Sequence, residues 1–223
     1  MPQFDYPRFD AALYPADIHS EQDDIDVDTL AHLGPLRRLE GIWEGTKGLD
    51  VNPNVDGSGR QAYLERIELQ PTDPQSNGPQ LFYGLRYHAH LKKPGLPETY
   101  HDQVGYWLWE PRTGLIVHSL TIPRGQVVLA AGQASADADS FEVFAERGAT
   151  DYGICSTGFL EYAYRTDAFR MKVSFNGDGT WAYFMDTVLT LPGAAEPFHH
   201  TDRNTLSKVA EPTPNPLALA RGQ

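Results

Sequence analysis

The sequence predicts an all-β fold, a roughly ten-stranded antiparallel up-and-down β-barrel with a short N-terminal capping helix. Three observations carry that expectation. Turn formers are frequent, with 20 Gly and 17 Pro, and they cluster in stretches such as "NVDGSG", "DPQSNGP", "KKPGLP" and "NGDG". The segments between them have strand length, and several alternate along the chain. The gaps are hairpin-sized, so each strand is expected to pair with its sequence neighbour. About ten strands in meander order favour closure, because closure removes sheet edges. A barrel above about eight strands is too wide for its own side chains to fill, so a ligand cavity is expected. A β-sandwich with a helix packed on it is the alternative.

The elements follow in order. Residues 1–27 read as an acidic, weakly structured arm with Pro2, Pro7 and Pro15, in which Tyr6, Phe9, Leu13 and Tyr14 offer docking contacts. Residues 28–210 read as the barrel domain. It opens with "DTLAHLGPLRRL", where Leu30, Leu33, Leu36 and Leu39 stand three apart on one face of a short helix that Gly34-Pro35 breaks or restarts. That face is expected to plug one end of the barrel. Gly41, Gly45 and Gly48 let a bent first strand leave the plug, and Trp43 anchors it. Strands are expected at 42–48, 61–70, 80–91, 101–110, 114–121, 126–133, 140–147, 158–165, 168–176, 180–191 and 197–208. In "LFYGLRY", Leu81, Tyr83, Leu85 and Tyr87 share a face; in "FEVFAER", Phe141, Val143 and Ala145 lie opposite Glu142, Phe144 and Glu146. Residues 211–223 read as a Pro-rich tail.

Composition narrows the function. The net charge is −12, which repels phosphate backbones and anionic lipid, so neither nucleic acid nor membrane is an expected partner. Cys155 is the single cysteine, which suits a reducing compartment. The first residues lack a basic-then-apolar signal, and no window approaches the ~20 apolar residues of a membrane helix. A soluble cytoplasmic protein is expected. No Gly-rich phosphate loop, zinc-type cysteine set or Gly-x-Ser-x-Gly elbow occurs.

The best site candidate is "FHHTDRNTL". On a strand, Phe198, His200, Asp202, Asn204 and Leu206 share one face, and His199, Thr201, Arg203 and Thr205 the other. A buried neutral imidazole there can ligate haem iron, and Asp202 can orient it. A surface turn after "GAAEPF" is the bland reading. His88 and His90 in "YHAHL" suit metal chelation by spacing, or form a solvated stripe if they face outward. His101 begins a strand on which Gln103, Gly105, Trp107 and Trp109 share its face. The tryptophans line a flat cavity or belong to the core. Arg124, in the turn "TIPRGQ", is placed to pair with an acid group. Cys155 reads as buried and inert.

Several of these pieces resemble the nitrobindin-like β-barrel family, also grouped as fatty-acid-binding-protein-like or calycin-like. "LGPLRRLEGIWEGTKG" resembles its opening pattern. "QAYLERIEL", "LFYGLRY", "HDQVGYWLWEP" and "IPRGQVVLAAGQ" follow in the family's order, so the resemblance spans about residues 33–209. It implies a ten-stranded barrel that holds ferric haem b through a histidine on the last strand, with nitric oxide or peroxynitrite isomerase-like chemistry in some members. On this chain it implies His200 as the iron ligand, or His199, with Trp43, Thr46, Arg124 and His101 around the cofactor. Aligned on Leu206, Lys208 and Val209, the family's ligand column falls on Thr201, one residue after His200. The alternative function is haem-free binding of a fatty acid or other small hydrophobic ligand. The expected partner is haem or such a ligand, with room for a homodimer.

Overall fold

The computed structural model describes residues 7–221; Pro2 and Tyr6 lie outside them. The strands are β1 (Gly41–Asn54), β2 (Gly57–Pro71), β3 (Gln75–Asn77), β4 (Gln80–Lys92), β5 (Thr99–Glu110), β6 (Leu115–Ile122), β7 (Gln126–Gln133), β8 (Ser140–Arg147), β9 (Gly153–Ser156), β10 (Arg165–Phe175), β11 (Trp181–Thr190) and β12 (Phe198–Ala210). Pairing runs β1–β2–β4–β5–β6–β7–β9–β8–β10–β11–β12 and returns to β1, a closed circuit of eleven strands, one more than expected. The two-layer sandwich is thereby excluded. β9 wedges between β7 and β8, whose direct ladder is the single pair Ala131–Phe144, and β3 borders β4.

The strand expected at 158–165 is instead a short helix, α2 (Gly158–Ala163). Its sequence is rich in aromatics, with Phe159, Tyr162 and Tyr164, as a strand's could be, but Phe159 and Tyr162 are largely exposed. The backbone bonds Glu161 N–H to Thr157 O and Tyr164 N–H to Leu160 O close the turn instead, and Arg147 clamps Glu161 at 2.7 Å. β3 and β9 carry too few residues to show a period. Cys155, expected to be buried, lies exposed on β9.

A bulge in β1 sets the geometry of the site. Gly45 pairs with Glu65 and Gly48 with Tyr63, so three steps on β1 face two on β2. One extra residue reverses the alternation. Trp43 and Gly45 are buried before it, Gly48 and Asp50 after it, and Thr46 and Lys47 project outward between them. The bulge thus turns Asp50 toward the interior. Gly48 also meets the Tyr63 ring so closely that a Cβ would lie 2.2 Å from it. β1 continues past its expected end at 48, through Pro53. The ladder with β12 stops at Val51, so the missing N–H of Pro53 breaks no bond there.

The leucine helix plugs one end, as its spacing predicts. α1 (Thr29–His32) passes into a 3-10 turn at Gly34–Leu39, the restart expected at Gly34-Pro35. Leu33, Leu36 and Leu39 are fully buried, and each contributes about 1.5–3 kcal/mol of burial. Gly34 adopts φ +53°, and its Cα sits against the Trp109 ring with no room for a Cβ. Trp43 donates its Nε1–H to the carbonyls of Leu39 and Glu40 and packs edge-on to Trp181.

The arm and tail both reach this structure. Tyr14 bonds Glu110 at 2.6 Å. Asn215, just before α3 (Pro216–Arg221), is buried; it accepts from Thr29 N–H and donates to Val27 O and Asp73 Oδ1. No described helix is long and apolar enough to cross a membrane.

Candidate functional site

Closure leaves a lumen of about 620 Å³ between the plug and the opposite, open end. That lies within the range of small-molecule pockets. Its inner part is aromatic and apolar, with Trp107, Phe169, Met171 and Trp181. Its mouth carries Asp50, Tyr100, His101, Arg124, His200 and Asp202, beside Phe159 and Leu160 of α2.

The mouth is organised around Asp50. Tyr100 Oη donates a short hydrogen bond to Asp50 Oδ2, and Asn52 Nδ2 donates to the same oxygen at 2.9 Å. The other oxygen, Oδ1, meets His200 Nε2 at 2.9 Å. Burial works to raise the Asp50 pKa, but these three partners outweigh it and hold the carboxyl below its usual range. Burial opposes charging of His200, yet the Asp50 bond and the nearby Asp202 charge leave its pKa above that of an ordinary histidine. His200 Nδ1 takes no hydrogen bond among the described residues.

Asp202, two residues along the same face, is buried and lies 3.6 Å from His200 Nε2. Its carboxylate accepts no hydrogen bond among the described residues. Burial, opposed by His200 and reinforced by Asp50 and Glu65, pushes its pKa up to about 7. Glu65 on β2 is also buried and lines the lumen. Its Oε2 accepts from Tyr183 Oη and Asn204 Nδ2, both at 2.9 Å. Burial outweighs these bonds and lifts its pKa to about 7.

On the opposite wall a chain of side chains leads inward. His101 Nε2 meets Gln103 Oε1 at 3.3 Å, Gln103 Nε2 donates to Tyr87 Oη at 2.6 Å, and Tyr87 Oη meets His118 Nε2 at 3.0 Å. His118 stacks on Trp107 with ring centroids 3.8 Å apart. Burial drives its pKa down to about 3, so the ring is neutral. His101 is likewise lowered by burial.

The predicted site residues divide by position. His200, His101 and Arg124 meet at the mouth. His199 does not; it is 62% exposed on the outer face and bonds Asp186. Thr46 lies on the outer surface in the bulge, and Trp43 sits below the lumen against the plug. His200 lines the lumen and Thr201 does not, so the one-residue offset from the family column needs no bulge in β12. Trp107 lines the lumen, while Trp109 packs at the plug. His88 and His90 face outward, where His88 pairs with Asp102 and His90 with Thr99. Sequence reasoning missed Asp50, Glu65 and His118. Glu65 had a readable signal, because in "YLERIEL" it shares the phase of Tyr63, Ile67 and Leu69.

Comparison with known proteins agrees with this geometry. The crystal structure of Rv2717c from M. tuberculosis superposes with a TM-score of 0.57 at 18% identity, covering 82% of this chain and 99% of that one. At that identity the likeness establishes the barrel fold. No curated protein matches the sequence significantly. A family profile described as "THAP4-like, heme-binding beta-barrel domain" matches residues 32–208. The span runs from the end of α1 nearly to the end of β12, and the chain is therefore a member of the THAP4-like, nitrobindin-like family of haem-binding β-barrels.

Proposed function

We propose that the lumen binds ferric haem b and that His200 would hold its iron. The observation that carries this reading is the state of the His200 ring. It stands on the inner face of β12 with Nδ1 unbonded and Nε2 on Asp50. A ligating imidazole ordinarily gives its second N–H to a carboxylate, which fixes the tautomer and strengthens the ligand. Asp50 is that carboxylate, and Tyr100 and Asn52 hold it in turn.

The remaining residues suit the same guest. The aromatic inner wall matches a flat apolar macrocycle and excludes water. Arg124 at the mouth matches propionate groups, which Asp50 and Asp202 would repel from the interior. Neutral His118 and Trp107 keep the far wall free of charge. When bound, ferric haem supplies an open iron position at which nitric oxide can bind or peroxynitrite be rearranged to nitrate. A cytoplasmic setting belongs to the same proposal, supported by the single cysteine and the acidic charge.

Haem-free binding of a fatty acid is the weaker reading. A carboxylate head would meet Asp50, Glu65 and Asp202, with only His200 and Arg124 to balance them. Reconstitution with hemin tests the choice. A Soret band is expected, lost in His200→Ala and kept in His199→Ala. A spectrum identical to free hemin in the unmodified protein would end the haem reading.

A further inference from the structure

We propose that Asp50, His200 and Asp202 also form a binding site for a divalent transition-metal cation at the mouth of the lumen. This use goes beyond haem binding and is an alternative to it, because both draw on one imidazole. A neutral imidazole has a single lone-pair nitrogen. Haem would take Nδ1 and leave the proton on Nε2; the cation would take Nε2 and leave it on Nδ1.

The geometry comes from two paired strands, β1 and β12. The β1 bulge brings in Asp50, and the alternation of β12 brings in His200 and Asp202. One ligand atom from each lies within 4.8 Å of the others. Measured from His200 Nε2, the carboxylate oxygens stand at 2.9 Å and 3.6 Å. Two ligands bound to one ion at about 2.1 Å in tetrahedral array lie roughly 3.4 Å apart. The two observed spacings bracket that value, so an ion needs only small side-chain shifts.

The donor set is also matched in charge and support. Two carboxylates and one neutral imidazole carry two negative charges, which a divalent ion cancels. Oxygen and imidazole donors together suit the manganese-to-zinc series. Tyr100 and Asn52 hold Oδ2 of Asp50, which aims Oδ1 at the cluster and gives the site an outer shell.

The independent observation is Asp202. It is 8% exposed and faces the lumen, yet it accepts no hydrogen bond among the described residues. A buried carboxylate without a donor calls for a ligand. His200 meets it only as an ion pair at 3.6 Å, because the Nε2 hydrogen goes to Asp50 and leaves Asp202 without a hydrogen bond.

Cobalt(II) titration of the full chain, freed of haem and metal, tests the site. One Co²⁺ per chain is expected, with visible d–d bands, and Zn²⁺ should displace it. Asp202→Asn should weaken Co²⁺ binding by about 100-fold or more, since loss of an outer-shell partner alone costs 10–100-fold. This variant keeps the side-chain shape and breaks no hydrogen bond, and because it removes a buried charge, a melting temperature in chelator that does not fall verifies its fold. Failure of hemin binding in the unmodified protein would strike the haem reading and leave the cobalt result standing. No Co²⁺ binding at millimolar concentration would overturn the site. So would unchanged affinity in Asp202→Asn, or loss of binding in His88→Ala instead, which would move the ion to the outer stripe.

Discussion

At the plugged end of the barrel, Leu33, Leu36 and Leu39 are held by contact alone, against Trp43, Trp109 and one another. At the mouth, Asp50, His200 and Tyr100 are held by hydrogen bonds that each depend on the others. The first arrangement is insensitive to pH and intolerant of lost volume. The second is poor in buried apolar area, sensitive to charge and reachable from solvent. One closed sheet thus separates a stabilising end from a chemical one, which lets the mouth carry two carboxyls around a single imidazole.

The largest effect is expected at the plug. Leu36→Ala removes a fully buried side chain between closed walls that cannot collapse. A loss of about 2–5 kcal/mol is expected. At about 2–4 °C per kcal/mol for a domain of this size, thermal melting should shift down by roughly 4–20 °C. A shift no larger than that of His200→Ala would erase the contrast between the two ends.

The next effect sharpens the chemical side. Glu65 has a folded pKa raised from the ordinary 4.5 to about 7 by burial. The folded state therefore holds a proton that the unfolded state has released between those values. Stability is unaffected below pH 4.5, falls as pH rises through this window, and carries the full cost above pH 7. That cost is about 3 kcal/mol. Glu65→Gln keeps an acceptor for Tyr183 and Asn204 and removes the charge. It should raise the melting temperature at pH 8 and leave it nearly unchanged at pH 4.5. Asp202, Tyr63 and Tyr183 share the electrostatic field of Glu65, so the difference between the two pH values is the informative quantity. Equal effects at both would assign the change to packing.

The two ends also differ in how far the sequence reveals them. The plug is legible because three-residue leucine spacing has one structural meaning. The faces of β12 are legible for the same reason: alternation from Phe198 to Leu206 is unbroken. Asp50 is not, because its face depends on the bulge between Gly45 and Gly48, and one extra residue inverts the reading of everything after it. "LDVNPN" also looks like a turn until the partner ladder is known to stop at Val51. Residues 158–165 mislead in the opposite sense. Their aromatic content favours a strand, but the circuit closes without them. Which strands neighbour each other is a property of the closed circuit and lies beyond any local window.

The smallest effect concerns a polar contact beside the apolar end. Tyr14, in the arm, donates its hydroxyl to Glu110, a buried side chain at the end of β5 that also accepts from Thr113 Oγ1. Burial, joined by the carboxylate, pushes the Tyr14 pKa up to about 12. Phe9 stacks on the same ring at 5.4 Å, and the Arg112 guanidinium lies 5.6 Å from it while donating to Leu13 O. Tyr14→Phe keeps both ring contacts and removes one hydrogen bond to Glu110, which retains Thr113. A loss of about 1–2 kcal/mol is expected. Because the bond joins the arm to the barrel, the loss should fall on the arm. Proteolysis within 15–28 should accelerate several-fold, with a smaller melting shift than Leu36→Ala gives. Unchanged cleavage with a lowered melting temperature would mean that Tyr14 braces the end of β5, and that the arm is held instead by Gln22 on Pro79 and by the Val27–Asn215 contact.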